Sequence, residues 1–274
     1  VYPSTLTTDR LLTALHDAVL TQPPAWKEPL FGRRDPEFST VAETFVDNNV
    51  AQNEAVQRAV GADDFALVHG PPGTGKTYTL ARIVRALVDD GQRVLVSAFT
   101  NRAVDNALEA LEAQGYTEVV RYGTESGVRE DMQGYRLRRR GDPAECAGTL
   151  QAAPVVAATT ASCGSRAVRT QSFDVAVVDE AGQLTEPGTL AALTLADRFV
   201  LVGDHNQLPP VVRAENDLTE SLFERLQKQY PEASTLLNRQ YRMAQRVQSF
   251  PSREFYDGRL RPATGEVAAR SVAD

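Results

Sequence analysis

The chain has 274 residues and a formal net charge of −7, from 36 acidic and 29 basic side chains. This acidic balance argues against a protein that coats nucleic acid through a broad basic surface, although a local basic groove remains compatible with it. The composition is that of a globular chain, no apolar run approaches the roughly 18 residues of a membrane span, and two cysteines with three histidines spell out neither a disulfide framework nor a metal motif. We therefore expect an intracellular protein, cytoplasmic in a prokaryote and nuclear in a eukaryote.

Residues 1–48 are predicted to form a helical and extended segment ahead of the main domain. Apolar residues recur at helical spacing between Leu11 and Leu20. A proline-rich stretch follows, with Pro23, Pro24, Pro29 and Pro36, and we expect it to be extended and to contribute no compact core. The chain begins with neither an initiator methionine nor a signal-peptide pattern, so we expect it to be an internal piece of a longer protein.

Residues 49–236 are predicted to form a doubly wound α/β domain with a mainly parallel sheet. Five short apolar runs alternate with helical patterns, and these runs begin at Phe65, Arg93, Val155, Val175 and Phe199. Because the runs lack polar alternation, they suit strands that are buried on both faces and joined by right-handed crossovers. Ligands of such sheets bind at the carboxyl ends of the strands. Residues 237–274 begin a further strand-and-helix unit.

The segment after the first strand matches a phosphate-binding loop. It consists of Gly70, Pro71, Pro72, Gly73, Thr74, Gly75, Lys76 and Thr77, which fits G-x-x-x-x-G-K-[ST] between a strand and a helix. Backbone N–H groups and the helix N-terminus would hold phosphate oxygens, Lys76 would reach the β- and γ-phosphates, and the Thr77 hydroxyl would ligate Mg²⁺. The alternative is a chance glycine-rich turn. The flanking elements, and one of only three lysines at the required position, favour nucleotide binding.

Two adjacent carboxylates follow the apolar run that begins at Val175. Asp179 would hold Mg²⁺, through water, and Glu180 would polarise the attacking water as a general base. A solvated turn is the alternative interpretation of such a pair. The phosphate loop elsewhere in the same predicted sheet favours the catalytic interpretation.

Three further segments resemble helicase motifs, and they occur in the family's order. They are residues 179–183 (DEAGQ), 203–210 (GDHNQLPP) and 237–243 (LNRQYRM). These three segments are similar to motifs II, III and IV of the superfamily 1 helicases, and they occur together with the phosphate loop. Their residues resemble those of the 1B branch. That branch includes the Okazaki-flap nuclease-helicases and the nonsense-mediated-decay helicases, of which the flap enzymes are more similar. The resemblance covers about residues 45–262 and implies a RecA-like P-loop NTPase domain that uses ATP and Mg²⁺.

The resemblance assigns roles to residues that match the motifs. Gln52 would read the adenine edge, Gln207 would contact the γ-phosphate, and Asp204 would fix the loop around Gln207. Arg242 would place its guanidinium on the γ-phosphate, so that Glu180, Gln207, Arg242 and Lys76 together form the expected catalytic set. A surface glutamine is the alternative for Gln52, and a surface ion pair is the alternative for Arg242.

Nucleic acid is expected at the strand ends on the other side of the same sheet. Thr100 and Asn101 match motif Ia, and Thr159 and Thr160 match motif Ic, so that these residues would bind phosphates without reading the sequence. Thr100, Asn101 and Thr160 each precede a helical pattern, and capping is a compatible role for them. The only dense basic cluster is either a solvated face or a strand-binding element; it comprises Arg136, Arg138, Arg139 and Arg140.

Several parts of the family's motor do not occur in this sequence. We find neither motif V nor motif VI, no nuclease or iron–sulfur signature, and no accessory β-barrel, of which residues 1–48 would be the tail. Gly182 replaces the alanine or serine that is commoner in motif II. We therefore expect the first motor domain of a 5′→3′ DNA helicase, a binder of single-stranded nucleic acid with DNA favoured, followed by a truncated second RecA-like domain. The alternatives are an RNA helicase of the decay type and a P-loop ATPase module that does not translocate.

Overall fold

The computed structural model describes residues 5–138, 143–207, 209–210 and 219–270. The strands are β1 (Phe65–His69), β2 (Val94–Ala98), β3 (Val119–Tyr122), β4 (Val155–Thr159), β5 (Phe173–Asp179), β6 (Ala196–Gly203), β7 (Ser234–Leu236), β8 (Arg239–Gln240) and β9 (Arg261–Pro262). The first seven form one parallel sheet in the order β3-β4-β2-β5-β6-β1-β7, and β8 and β9 form a second, two-stranded sheet.

Helices cover both faces of the large sheet. The α-helices are α1 (Thr5–His16), α2 (Pro24–Leu30), α3 (Val50–Gly61), α4 (Lys76–Asp89), α5 (Asn101–Glu112), α6 (Pro143–Ala152), α7 (Thr160–Cys163), α8 (Arg166–Arg169), α9 (Glu186–Leu193), α10 (Leu222–Gln229), α11 (Gln245–Phe255) and α12 (Gly265–Ala269). A π-helical turn, Asp17–Thr21, extends α1, and the 3-10 turns are Glu125–Gly127, Glu130–Tyr135, Ala181–Gln183 and Pro231–Ala233. None of the helices in the described residues is long and apolar enough to cross a membrane.

The central strands are buried on both faces, as their unbroken apolar runs predicted. In β1, Phe65 and Leu67 enter the core beneath α9 and α10, whereas Ala66 and Val68 enter the core beneath α3 and α4. Alternation of side chains along a strand divides the core in this way, so that each face needs its own layer of helices. The predicted parallel α/β fold is confirmed. The sequence analysis missed β3 and β7, which are the two edge strands and the two shortest strands of this sheet, with 4 and 3 residues.

Pro24–Leu30 of the proline-rich stretch is helical and partly buried, so the prediction of an extended segment outside the core was wrong for these residues. Pro24 lies in the first turn of α2, where a proline loses no intrahelical hydrogen bond. Trp26 and Leu30 then enter the core, and the indole N–H of Trp26 donates to the carbonyl oxygen of Ala196 at 3.2 Å. Burial of these large side chains against the sheet compensates for the poor helix propensity of the prolines.

The region from residue 237 onward continues the chain as the predicted strand-and-helix unit. It contains β8, α11, β9 and α12, and its small sheet is parallel. The large sheet extends to Leu236, because β7 pairs with β1. The division of the chain into domains at residue 236 stays a prediction.

A buried ion pair fixes the edge of the sheet near α5. The Arg121 side chain on β3 is fully buried, and its Nε donates to Asp105 Oδ1 at 2.8 Å. The other guanidinium nitrogens donate to Asn101 Oδ1 and to the carbonyl oxygen of Tyr122, both at 2.8 Å. The second oxygen of Asp105 accepts from the backbone N–H of Arg129 at 2.9 Å. A buried guanidinium needs this degree of satisfaction, because desolvation of an unpaired charge is expensive.

We predict that Asp105→Ala lowers the free energy of unfolding by about 3–5 kcal/mol, because it leaves the Arg121 charge buried without its carboxylate. Urea denaturation followed by circular dichroism measures this loss. The control is Asp89→Ala, which removes the exposed partner of Arg85 on α4 and should cost less than about 1 kcal/mol. Equal losses in the two variants would contradict a structural role for the buried pair.

Candidate functional site

The parallel register brings the loops after β1, β5 and β6 to one edge of the sheet. His69 at the end of β1 pairs with Gly203 at the end of β6. Asp179 at the end of β5 pairs with Ala98 of β2, and β5 also pairs with β6. The backbone N–H of Gly70 donates to the carbonyl oxygen of Gly203 at 2.9 Å, which ties the first residue of the phosphate loop to β6. Segments that are far apart in the sequence therefore converge on one cleft.

The loop after β1 depends on two glycines in the left-handed backbone region. Gly73 has a φ of 76° and Gly75 a φ of 79°, a conformation that is strained for other residues. A Cβ on Gly73 would lie 2.7 Å from the Cβ of Arg242, and a Cβ on Gly75 would lie 2.7 Å from the side-chain nitrogen of Gln52. Thr74 is fully buried, and its hydroxyl donates to the carbonyl oxygen of Pro71 at 2.7 Å, which closes the loop. Both glycines are thus required by conformation, and Gly73 is also required by space.

Lys76 begins α4 and is half-buried at the floor of the cleft. Its Nζ donates to the carbonyl oxygen of Gly70. Burial lowers the pKa of the Lys76 ammonium, whereas the carboxylates of Asp204, Asp179 and Glu180 act in the opposite direction. The lysine thus provides a positive charge in the half of the cleft that also contains the acids.

Asp179 and Glu180 occupy different environments, although they are adjacent in the chain. Asp179 is buried and accepts from the backbone N–H of Glu180 at 2.8 Å, and burial raises the pKa of its carboxyl group to about 6. Glu180 adopts a left-handed φ of 53° and lines the cleft together with Thr77. Such a conformation is costly for a residue with a Cβ and is typical of functional sites. The oxygens of Thr77 and Asp179 are hard ligands of the kind that Mg²⁺ prefers, and a divalent cation would favour the ionised form of Asp179.

Gln52 is buried beside the phosphate loop, so the alternative of a surface glutamine was wrong. Its backbone N–H donates to Asn49 Oδ1, the N-cap of α3, at 3.1 Å. Its side-chain nitrogen donates to the carbonyl oxygen of Thr74 at 3.2 Å. The Asn49 amide in turn donates to the Tyr241 hydroxyl at 2.9 Å, which connects α3 to the Arg242 loop. Gln52 therefore contacts the phosphate loop and lines this end of the cleft, and its role in reading adenine stays a prediction.

Asp204 organises the loop after β6. Its carboxylate accepts from His69 Nε2 at 3.0 Å, from Gln207 Nε2 at 2.7 Å and from the Tyr256 hydroxyl at 2.8 Å. Burial alone would raise the pKa of Asp204, but these hydrogen bonds outweigh burial and lower it to about 2. The predicted role of Asp204 in fixing its loop agrees with this geometry.

The structure explains why glycine occupies position 182, which the sequence analysis did not explain. A Cβ at this position would lie 2.9 Å from the carbonyl oxygen of Asp204, and a Cβ on Gly203 would lie 2.9 Å from the backbone nitrogen of Gly182. The turn after β5 and the end of β6 therefore pack backbone against backbone. Glycine at both positions permits this close approach.

Arg242 reaches the cleft from a loop that side-chain amides hold in shape. The fully buried Gln240 accepts from the backbone N–H groups of Arg242 and Met243 at 2.8 and 2.6 Å. The backbone N–H of Tyr241 donates to the carbonyl oxygen of Gly73 at 2.8 Å, so that the Arg242 loop lies directly on the phosphate loop. The Arg270 side chain donates to the carbonyl oxygen of Tyr241 at 2.9 Å.

These elements enclose a cleft of about 1000 Å³. The predicted residues that line it are Gln52, Pro71, Pro72, Gly73, Gly75, Lys76, Thr77, Glu180, Gln207 and Arg242. Gly70, Thr74 and Asp179 lie behind this lining as supports. The sequence analysis missed the lining residues Phe45, Val46, Tyr78, Arg82 and Arg270. Tyr78 and Arg82 lie on α4 just after the phosphate loop, outside the residues of its motif. Phe45, Val46 and Arg270 reach the cleft through the packing of separate segments, which no local motif marks.

The residues that are predicted to contact nucleic acid lie at the carboxyl ends of β2 and β4. These two strands are adjacent, and Ala98 pairs with Thr159. Thr100 caps α5, as expected, and accepts from the backbone N–H of Ala103 at 3.1 Å. The capping role was wrong for Asn101, whose side-chain oxygen accepts from Arg121. It was also wrong for Thr160, which is buried within α7. The preceding residue, Thr159, caps α7 by accepting from the backbone N–H of Ser162 at 3.2 Å. Binding of phosphates by these residues stays a prediction.

The predicted basic cluster falls partly outside the described residues, because Arg139 and Arg140 are not among them. The Arg136 side chain donates to Gln133 Oε1 at 2.6 Å and lies 3.6 Å from an oxygen of Glu125. Arg136 is thus partly buried and paired within the chain, and binding of a nucleic-acid strand by the cluster stays a prediction.

The fold and the cleft together define a RecA-like P-loop nucleotide-binding domain. Two family models, both described as AAA domain, match the chain, one at residues 47–145 and 137–215 and the other at residues 218–273. The chain belongs to this family of AAA domains, and the resemblance to superfamily 1 helicases that its motifs carry is confirmed.

Similar proteins include DNA helicases, and two of those described below are named as ATP-dependent helicase/nucleases. The DNA replication ATP-dependent helicase/nuclease JHS1 of Arabidopsis thaliana is 36% identical over 90% of this chain, which covers 19% of that protein. The DNA replication ATP-dependent helicase/nuclease DNA2 of Saccharomyces cerevisiae is 34% identical over 82% of this chain and 15% of its own length. The DNA polymerase alpha-associated DNA helicase A of Schizosaccharomyces pombe is 32% identical, over 82% of this chain and 41% of its own length. The chain thus spans less than half of each of these relatives.

A solved structure has the same fold at low sequence identity. The arterivirus nonstructural protein 10 (helicase) in complex with DNA superposes with a TM-score of 0.50 at 20% identity, over 77% of this chain and 44% of that one. This similarity supports the RecA-like fold alone.

We predict that Gly73→Ala weakens nucleotide binding by at least about ten-fold, because the new methyl group would displace the Arg242 loop from the phosphate loop. Titration with a fluorescent ATP analogue measures the affinity. The control is Gly91→Ala, which has the same left-handed backbone, with a φ of 79°, but no atom within 4 Å of the added Cβ. Both variants should lose stability, and only Gly73→Ala should lose affinity. An equal change of affinity in both would contradict the steric argument.

Proposed function

We propose that this chain is the ATP-binding and ATP-hydrolysing motor region of a DNA helicase, with residues 237–274 as the start of its second RecA-like domain. The observation that carries the proposal is the convergence of four side chains from four separate segments on one cleft. These side chains are Lys76, Glu180, Gln207 and Arg242. Gln207 and Arg242 reach this cleft from segments outside the phosphate loop, and Arg242 comes from the region after residue 237, which favours a motor that responds to the γ-phosphate. The names of the relatives support the same proposal.

Binding of ATP would use the backbone more than the side chains. The left-handed glycines turn N–H groups of the loop toward the phosphates, and the N-terminus of α4 adds its positive dipole. Lys76 would exchange the carbonyl oxygen of Gly70 for phosphate oxygens, which are stronger acceptors because they are charged. Gln52 would read the adenine edge, since its amide is anchored at one end of the cleft by Thr74.

Hydrolysis would require a base and a group that stabilises negative charge. Glu180 lines the cleft and would accept a proton from the attacking water. Arg242 would stabilise the charge that develops on the γ-phosphate, and Gln207 would respond to its loss. Mg²⁺, when bound, supplies positive charge to the phosphates, and Thr77 and Asp179 would hold it.

Single-stranded DNA would cross the carboxyl ends of β2 and β4. Thr100 and Asn101 are exposed there, and Phe99 is 52% exposed between β2 and α5. An exposed aromatic ring beside capped helix N-termini suits base stacking combined with phosphate binding. A protein that acts on DNA would work where the cell keeps its DNA, in the nucleus of a eukaryote or the cytoplasm of a prokaryote.

We predict that Glu180→Gln abolishes ATP turnover and leaves ATP binding within about two-fold of the wild type, because the amide retains the shape of the side chain and cannot accept a proton. Single-turnover hydrolysis with protein in excess suits a chain that carries part of the motor. Lys76→Ala should instead lose ATP binding, whereas Lys228→Ala, an exposed lysine paired with Glu220 and Glu224, should lose neither property. Unchanged turnover in Glu180→Gln would show that Glu180 is not the base.

We further predict that Phe99→Ala weakens binding of a single-stranded DNA 20-mer by about ten-fold, because it removes one stacking surface. Fluorescence anisotropy at fixed salt measures the affinity, with Phe250→Ala, an exposed phenylalanine on α11, as the control. The wild type should bind DNA more tightly than RNA of the same sequence. Tighter binding of RNA would contradict the DNA assignment and favour a decay-type helicase.

A further inference from the structure

A buried carboxylate joins the Gln207 loop to the far end of α11. Asp204 Oδ2 accepts two hydrogen bonds, from Gln207 Nε2 at 2.7 Å and from the Tyr256 hydroxyl at 2.8 Å. Asp204 Oδ1 accepts from His69 Nε2 at 3.0 Å and from the backbone N–H of Asn206 at 3.1 Å. One side chain thus receives donors from β1, from its own loop and from the region after residue 237.

A second hydrogen bond ties the same two segments together. The Asn206 side-chain nitrogen donates to the carbonyl oxygen of Phe255 at 2.7 Å. Tyr256 itself is only 5% exposed, and its ring centroid lies 5.9 Å from that of His69. The loop of residues 204–207 is therefore held at two points by the C-terminal end of α11 and the residue that follows it.

We propose that Tyr256 is a positioning residue for ATP hydrolysis. It acts through Asp204 to orient Gln207, and this inference rests on the proposed function. A carboxylate can only accept, so Gln207 must turn its amide nitrogen toward Asp204. One hydrogen of that amide is then committed to Asp204 and the other is directed elsewhere. Tyr256 shares the acceptor oxygen with Gln207 and helps to fix the position of the carboxylate. Loss of its hydroxyl leaves that oxygen with Gln207 as its side-chain donor, so that the orientation of Gln207 becomes less restricted.

The charge state of Asp204 supports this arrangement. Burial alone would raise its pKa, whereas the donated hydrogen bonds lower the pKa to about 2. The carboxylate is therefore ionised at neutral pH, and its hydrogen bonds are the stronger, charge-assisted kind. A displacement of α11 from the sheet would break the bonds of Tyr256 and Asn206 at once, which makes the orientation of Gln207 depend on the position of the region after residue 237.

The test compares two tyrosines that each lose one hydroxyl. Tyr256→Phe removes the donor to Asp204 and retains the ring. The matched control is Tyr230→Phe, because Tyr230 is 4% exposed and its hydroxyl donates to the carbonyl oxygen of Arg34 at 3.1 Å, without contact to the loop of residues 204–207. Both variants lose one hydrogen bond, so thermal melting should show similar, small losses of stability in the two.

Single-turnover hydrolysis and ATP affinity separate positioning from stability. Tyr256→Phe should reduce the rate constant of hydrolysis by about ten-fold and leave the Kd for ATP within about two-fold of the wild type. Tyr230→Phe should leave both unchanged. A wild-type rate constant in Tyr256→Phe, or an equal reduction in Tyr230→Phe, would overturn the inference.

A spectroscopic measurement keeps the inference testable if the wild type hydrolyses no ATP, a result that would contradict the proposed function. The side-chain amide resonances of Gln207 are identified in a ¹⁵N–¹H correlation spectrum by their loss in Gln207→Ala. They should shift in Tyr256→Phe and stay in place in Tyr230→Phe. Unmoved Gln207 resonances in Tyr256→Phe would overturn the inference whatever the hydrolysis rate.

Discussion

The parallel register of the central strands is the constraint on which the cleft depends. Because all seven strands run in one direction, their carboxyl ends meet at one edge, with His69 opposite Gly203 and Ala98 opposite Asp179. Every loop that leaves this edge must satisfy its own backbone and still leave room for its neighbours. Glycine permits the close approach of two backbone segments, as at Gly182, which packs against the end of β6. The chemistry of the cleft is thus a consequence of sheet geometry.

The charges of the cleft are balanced locally, although the chain is acidic. Three carboxylates lie near Lys76. They raise the pKa of its ammonium group, whereas burial lowers that pKa. Arg242 and Arg270 approach from the region after residue 237. The cations that face phosphate would therefore come from both parts of the chain, and net charge says little about such a site.

The sequence was informative where the signal is contiguous. The phosphate loop, the acid at the end of β5 and the five central strands follow from short patterns whose physics is local. Residues that contact distant parts of the fold carried no such signal. The indole of Trp26 donates to Ala196, at the start of a distant strand. Tyr256 reaches Asp204 only after α11 has packed. The caps of the helices show the same limit at a finer scale. Thr159, rather than Thr160, caps α7, because one residue decides which hydroxyl faces the free N–H groups.

The two edge strands of the sheet also affect the tendency of the protein to associate with other chains through β-pairing. The unpaired backbone of an edge strand is a template for intermolecular β-pairing, and long apolar edges promote aggregation. Here the longest and most apolar strands are internal, whereas β3 and β7 have 4 and 3 residues. The outer side of β3 is also partly occupied, since the backbone N–H of Leu137 donates to the carbonyl oxygen of Arg121 at 2.9 Å. The order of the strands thus limits self-association of a sheet whose interior is almost wholly hydrophobic.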